Sequence, residues 1–213
     1  MPLSAKNKRM RRLLPLLIIL LLGVVAIATF MQKKPEAENA KIISASDTPQ
    51  GGDFTLTSAK GPVSLHDYRG KLVLLYFGYT YCPDICPTNL GNLSLAYRRL
   101  PPELQKKVKI LFVSVDPERD TPAKLQQYSD YYQANITGLT GTREQIDQVV
   151  KQYGAIYSIH KEGNNPNYSV DHSAFTYVIS PEGKLLTQLP HATSPDQFIE
   201  TITQYLGNEH EKH

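Results

Sequence analysis

The chain has 213 residues and a formal net charge of +3, a length that suits one domain with appendages and a real core. Seven of its 23 basic residues (Lys6, Lys8, Arg9, Arg11, Arg12, Lys33 and Lys34) precede the first acid, Glu36. That leaves 16 basic against 20 acidic residues, a charge of −4 on the body, which excludes nucleic acid as its partner.

Residues 13–31 carry no charge, and nineteen mostly apolar positions at helical rise come to about 28 Å, close to the hydrocarbon thickness of a bilayer. Five basic residues precede the run and two follow it, so the positive-inside rule puts residues 1–12 in the cytoplasm and the body outside. Ala26-Ile27-Ala28 has the small-x-small pattern of a signal-peptide cleavage site, but the apolar run continues through Phe30 and Met31, so a retained single-pass anchor is expected. The absence of a longer Arg/Ser-rich presequence favours a bacterial inner membrane, with the body periplasmic. Residues 32–50 read as a tether, 51–207 as the folded domain and 208–213 as a solvated tail, whose His210 and His213 pick up metal adventitiously.

Within the domain, residues 54–57 and 62–65 read as a hairpin, with His66 in an exposed turn. KLVLLYF (residues 71–77) is a buried strand, and Leu90, Leu93 and Tyr97 have helical spacing after it. VKILFVSV (108–115) is a second strand without polar alternation, as in a sheet covered on both faces. Asp120 is expected to cap the next helix, with Pro122 in its first turn, while Asp116 is expected in a turn-forming role. A short apolar piece (136–140) and a capping box at Thr142 and Gln145 introduce an extra helix. Residues 157–160 read as a strand with His160 exposed at its end. Residues 174–180 and 184–189 form a closing hairpin, and Ser194 caps a last helix. Strand, helix, strand, helix, hairpin, helix is a thioredoxin-like α/β order, with an N-terminal β-hairpin and one inserted helix.

The only two cysteines, Cys82 and Cys86, lie in GYTYCPDICP, where the first buried strand turns into a helix. Free N–H groups and the positive end of the helix dipole favour thiolate there. Three residues separate the cysteines, against two in the disulfide-exchange motif of thioredoxins. In helical geometry i and i+4 share a face, so both sulfurs reach one soft ion, Cu(I) best and Zn(II) in competition, with a third donor needed. The plain alternative is a structural disulfide bond between them.

GYTYCPDICP, VSVDPERDTP (113–122) and VDHSAF (170–175), in that order, resemble the Sco/SenC family of copper-binding proteins over nearly all of the chain after residue 45. The resemblance implies a thioredoxin-like domain on one membrane helix, binding copper as Cu(I) or Cu(II) through Cys82, Cys86 and His172. It also implies delivery to the binuclear CuA centre of cytochrome c oxidase subunit II during assembly. His172 is expected on a loop before the closing hairpin, with Asp171 holding its imidazole. The rival reading is a thiol-disulfide oxidoreductase that keeps the CuA cysteines reduced. Against it stand the C-x-x-x-C spacing and His172-Ser173, where redox thioredoxins carry a proline. A peroxiredoxin-like peroxidase matches the fold more than the site.

Overall fold

The computed structural model describes residues 49–207, apart from 162 and 164. The expected anchor at 13–31, nearly all of the tether and the tail lie outside the described residues. Among the described residues no helix is long and apolar enough to cross a membrane.

Strand β3 (Leu72–Gly78) is buried at every position, and so is β4 (Val108–Ser114), beside which it runs in parallel from Leu72↔Val108 to Gly78↔Ser114. Strands covered on both faces have no reason to alternate, hence the continuous apolar runs. Between them the chain forms α1 (Ile85–Arg99) and the short α2 (Pro102–Lys106), broken at Pro101 and Pro102. After β4, α3 (Pro122–Tyr131) leads to β5 (Ile136–Leu139), which pairs in parallel with β4. The short apolar piece is thus a third parallel strand, and Thr57↔Thr140 ties it to the N-terminal hairpin of β1 (Thr55–Ser58) and β2 (Gly61–Ser64).

The inserted helix α4 (Arg143–Gln152) starts at the expected capping box: the Thr142 hydroxyl accepts from the Gln145 amide, and the Gln145 side chain accepts from the Thr142 amide. Strands β6 (Tyr157–His160) and β7 (Ser169–His172) then form a separate antiparallel pair. The closing hairpin, β8 (Thr176–Ile179) and β9 (Leu185–Leu189), joins the main sheet antiparallel to β3, giving the order β5-β4-β3-β8-β9. Gly183 supplies the φ of +82° that its turn requires. Helix α5 (Pro195–Gly207) packs on α1. The parallel strands β3 and β4 share their carboxyl ends, the edge at which ligands gather in open α/β sheets, and the cysteine turn leaves from that edge.

Candidate metal centre

Strand β3 ends at Gly78, and the turn that follows closes with the Cys82 amide donating to the Tyr79 carbonyl at 3.2 Å. Helix α1 begins only at Ile85, so the cysteines do not share a helical face as their spacing suggested. Cys82 stands in the turn and Cys86 in the first helical turn. Asp84, at the N-cap, has no side-chain capping bond. The Cys82 sulfur lies instead 3.5 Å from the Cys86 amide and takes one of the open donors of the helix start.

Cys86 is wholly buried and Cys82 is 8% exposed; both are free thiols, so the disulfide is not formed. The Cys86 sulfur is engaged elsewhere, 3.2 Å from His172 Nε2. The Cys86 thiol hydrogen-bonds to Cys82 and drives the Cys82 pKa well below the thiol range, with the Cys86 and Asp84 amides adding to the effect. Burial, followed by the neighbouring Cys82 sulfur, pushes Cys86 up. Cys82 is therefore the more acidic of the two thiols.

His172 closes β7 and is not on a loop. The signal was present in the sequence: Tyr168, Val170 and His172 alternate with exposed Asn167, Ser169 and Asp171, the period of a half-buried strand. The same alternation turns Asp171 away from His172. The Asp171 carboxylate meets His160 Nε2 at 2.8 Å, on the exposed face, and does not hold the His172 imidazole. That role falls to the Ser173 carbonyl, 3.1 Å from His172 Nδ1. A carbonyl only accepts, so Nδ1 carries the proton and Nε2 turns its lone pair to the sulfurs. The rings of Tyr76 and Tyr79 meet the imidazole edge-on, with centroids at 6.2 and 5.8 Å.

The two sulfurs and the imidazole nitrogen lie within 4.8 Å of one another. Metal–donor bonds of about 2.0–2.3 Å put donors that share one ion roughly 3.5–4.6 Å apart, so shifts of tenths of an ångström close the site. Two thiolates and one imidazole are the donor set of a soft ion.

The spacing of the motif did not reveal the supports of the site. Asp120 is not the cap of α3, for the Thr121 hydroxyl accepts from the Lys124 amide in that role. Asp120 accepts instead from the amide and hydroxyl of Thr80 and from the Ser114 hydroxyl, which pins the cysteine turn to β4. Asp116 sits in its turn wholly buried and bonded to Arg119 and Tyr168. Asn89 Nδ2 donates to Thr176 Oγ1 at 3.0 Å, tying α1 to β8. His66 is exposed, as expected.

A thioredoxin-like domain that gathers two thiols and one imidazole at the turn after its first parallel strand defines the class. The SCO1/SenC family model matches residues 44–207, and the chain belongs to that family. An SCO2-like protein of Rickettsia conorii is 36% identical over 195 residues, covering 88% of this chain and 93% of its own. The mitochondrial SCO2 homolog of Bos taurus is 40% identical over 158 residues, covering 73% of this chain but only 59% of its own. Among solved structures, Arabidopsis thaliana ScoI with copper bound has a TM-score of 0.67 at 32% identity, covering 74% of this chain and 98% of its own. BsSco, described as a member of the Sco family of cytochrome c oxidase assembly proteins, has a TM-score of 0.57 at 25% identity, covering 73% of this chain and 92% of its own.

Proposed function

We propose that this protein is a membrane-tethered copper carrier that holds one copper ion on Cys82, Cys86 and His172 and passes it to the CuA centre of cytochrome c oxidase subunit II. The observation that carries the reading is the convergence of the three donors within 4.8 Å, with the lone pair of His172 Nε2 turned inward. Copper-bound relatives with the same fold support it. The tether and the periplasmic placement rest on the uncharged run at 13–31 and the basic residues before it. Mass spectrometry of the mature protein tests them: an intact residue 13–31 segment is expected, and an N-terminus at Thr29 would refute the anchor.

Copper is quantified on the reduced chain trimmed of 208–213, which removes His210 and His213. One equivalent is expected; two or none would sink the site. His172→Ala should weaken Cu(II) far more than Cu(I), because two thiolates satisfy linear Cu(I) whereas Cu(II) prefers nitrogen or oxygen donors as well.

The thiolate character of Cys82 favours a second reading, reduction of the acceptor's disulfide. The two are separated by mixing. Copper-loaded protein should metallate a reduced CuA-domain fragment, and copper-free reduced protein should leave the oxidised fragment unreduced. Fast disulfide reduction without metal transfer would make the oxidoreductase reading primary.

A further inference from the structure

Around Arg119, beside the three ligands, three separate pieces of chain meet. The guanidinium lies 3.5 Å from the centre of the Tyr168 ring, 4.8 Å from that of Tyr81 and 5.5 Å from that of Tyr79. Its Nε donates to Asp116 Oδ2 at 2.5 Å, and its Nη1 donates to the Tyr168 carbonyl at 2.8 Å. The Tyr168 hydroxyl donates to the other oxygen of the buried Asp116 at 2.7 Å. Tyr79 and Tyr81 belong to the cysteine turn, Asp116 and Arg119 to the segment after β4, and Tyr168 directly precedes β7. Tyr79 completes the circuit: its hydroxyl accepts from the Val170 amide at 3.4 Å, and its ring abuts His172.

Among the described residues strand β7, which presents His172, pairs only with β6 and lies outside the five-stranded sheet. A two-stranded ribbon is marginal alone, so something else must fix where its last residue points. The cysteines have no such need, because Cys86 belongs to α1 and Asp120 pins the turn that carries Cys82 to β4. Only a planar guanidinium can stack on a ring while donating in its own plane to a carboxylate and a carbonyl, and its charge offsets that of the buried Asp116.

We infer that Arg119 is a positioning residue of the metal centre: it locks β7 onto the cysteine turn and thereby holds His172 Nε2 at the sulfurs. This deepens the copper reading and rests on it. Losing Arg119 therefore acts chiefly on the imidazole, because Asp120 still holds the turn that carries Cys82.

The test uses the full chain in detergent, with His210→Ala and His213→Ala in every sample so that the tail takes no copper, and the variants Arg119→Gln, Arg119→Lys, His172→Ala and the double variant Arg119→Gln/His172→Ala. Arg119→Gln should weaken Cu(II) by about tenfold, the scale of one charge-assisted bond, and Cu(I) by less than about threefold. Arg119→Lys should behave like Arg119→Gln, because an ammonium cannot stack and fork at once. In the His172→Ala background Arg119→Gln should change Cu(II) affinity no further, the non-additivity expected of a residue that acts through the histidine. Amide exchange in the metal-free protein should quicken at 169–172 and stay slow in β3 and β4.

Equal losses of Cu(I) and Cu(II), or an Arg119→Gln effect undiminished by His172→Ala, would reduce Arg119 to a structural residue and overturn the inference. Unaltered protection at 169–172 overturns it without any metal measurement. If the unaltered chain binds no copper, the carrier reading fails, and the exchange experiment alone decides the positioning role. If Arg119→Gln exchanges globally, Tyr168→Phe, which keeps the ring and removes the bond to Asp116, takes its place. A selective Cu(II) loss is then expected, and its absence overturns the proposal.

Discussion

At the residue scale, Asp120 is wholly buried and takes three bonds, from the Thr80 amide at 2.9 Å, the Thr80 hydroxyl at 2.5 Å and the Ser114 hydroxyl at 2.7 Å. Asp120→Ala leaves three donors without their acceptor and should lower stability by about 3 kcal/mol in urea unfolding. Copper affinity should fall with it, since Thr80 stands two residues before Cys82. Lys109 belongs to the far end of the sheet. It is 6% exposed in β4 and donates to the Asn135 carbonyl and side-chain oxygen at 2.9 and 3.0 Å. Burial, followed by the positive fields of Lys71 and Lys60, lowers its pKa to about 8 from 10.5. Between those values the unfolded chain binds more protons than the folded one, so this group makes stability rise with pH, by up to about 1.4 kcal/mol per unit. Below pH 8 the charged lysine carries its full penalty. The stability of the native chain minus that of Lys109→Met, measured by denaturant unfolding from pH 7 to 9.5, should climb from pH 8 upward. A flat difference would refute a depressed Lys109.

At the element scale, the close approach of α1 to β3 depends on the absence of a side chain. A Cβ on Gly78 would overlap the Cys86 sulfur and lie 2.9 Å from the Phe112 ring. Gly78→Ala should therefore lower stability by about 1–3 kcal/mol through overpacking. It should also displace Cys86 and weaken Cu(I), which His172→Ala largely spares. Gly91, within α1, has open space where its Cβ would be. Gly91→Ala should raise stability by about 0.5–1 kcal/mol through helix propensity and leave copper affinity unchanged. Thermal unfolding and a copper competition titration on the pair distinguish crowding at the sulfur from a general effect of adding a methyl group. Equal behaviour of the two variants would refute the account of Gly78.

At the scale of the whole molecule, Cys82, Cys86 and His172 sit on a turn, a helix start and a separate ribbon, so an ion held by all three would bind three parts of the fold together. A ligand that binds only the folded state at 100 times its dissociation constant adds about 2.7 kcal/mol, roughly 5–10 °C in Tm for a domain of this size. Stoichiometric copper should produce such a rise in the reduced protein, and chelation should reverse it. Cys82→Ser/Cys86→Ser should show no rise; an equal rise in that variant would place the stabilising metal elsewhere.

The strands β3 and β4 were legible because both faces are buried and their sequences run apolar without interruption. The start of α4 was legible because a capping box is a bond between residues three apart. The metal-binding potential of Cys82 and Cys86 was legible from their spacing, although the turn that unites them is not the helical face which that spacing suggests. His172 entered as a ligand only through resemblance, since the alternation that sets it on the inner face of its strand says nothing of a metal. Tertiary structure alone placed His172 against Cys86, 86 residues away, and sent Asp120 to the cysteine turn instead of a helix cap. A cap, a turn or a strand period is settled by neighbours along the chain. Which buried donor meets which acceptor is settled by the packing of segments distant in sequence, and no local pattern records that choice.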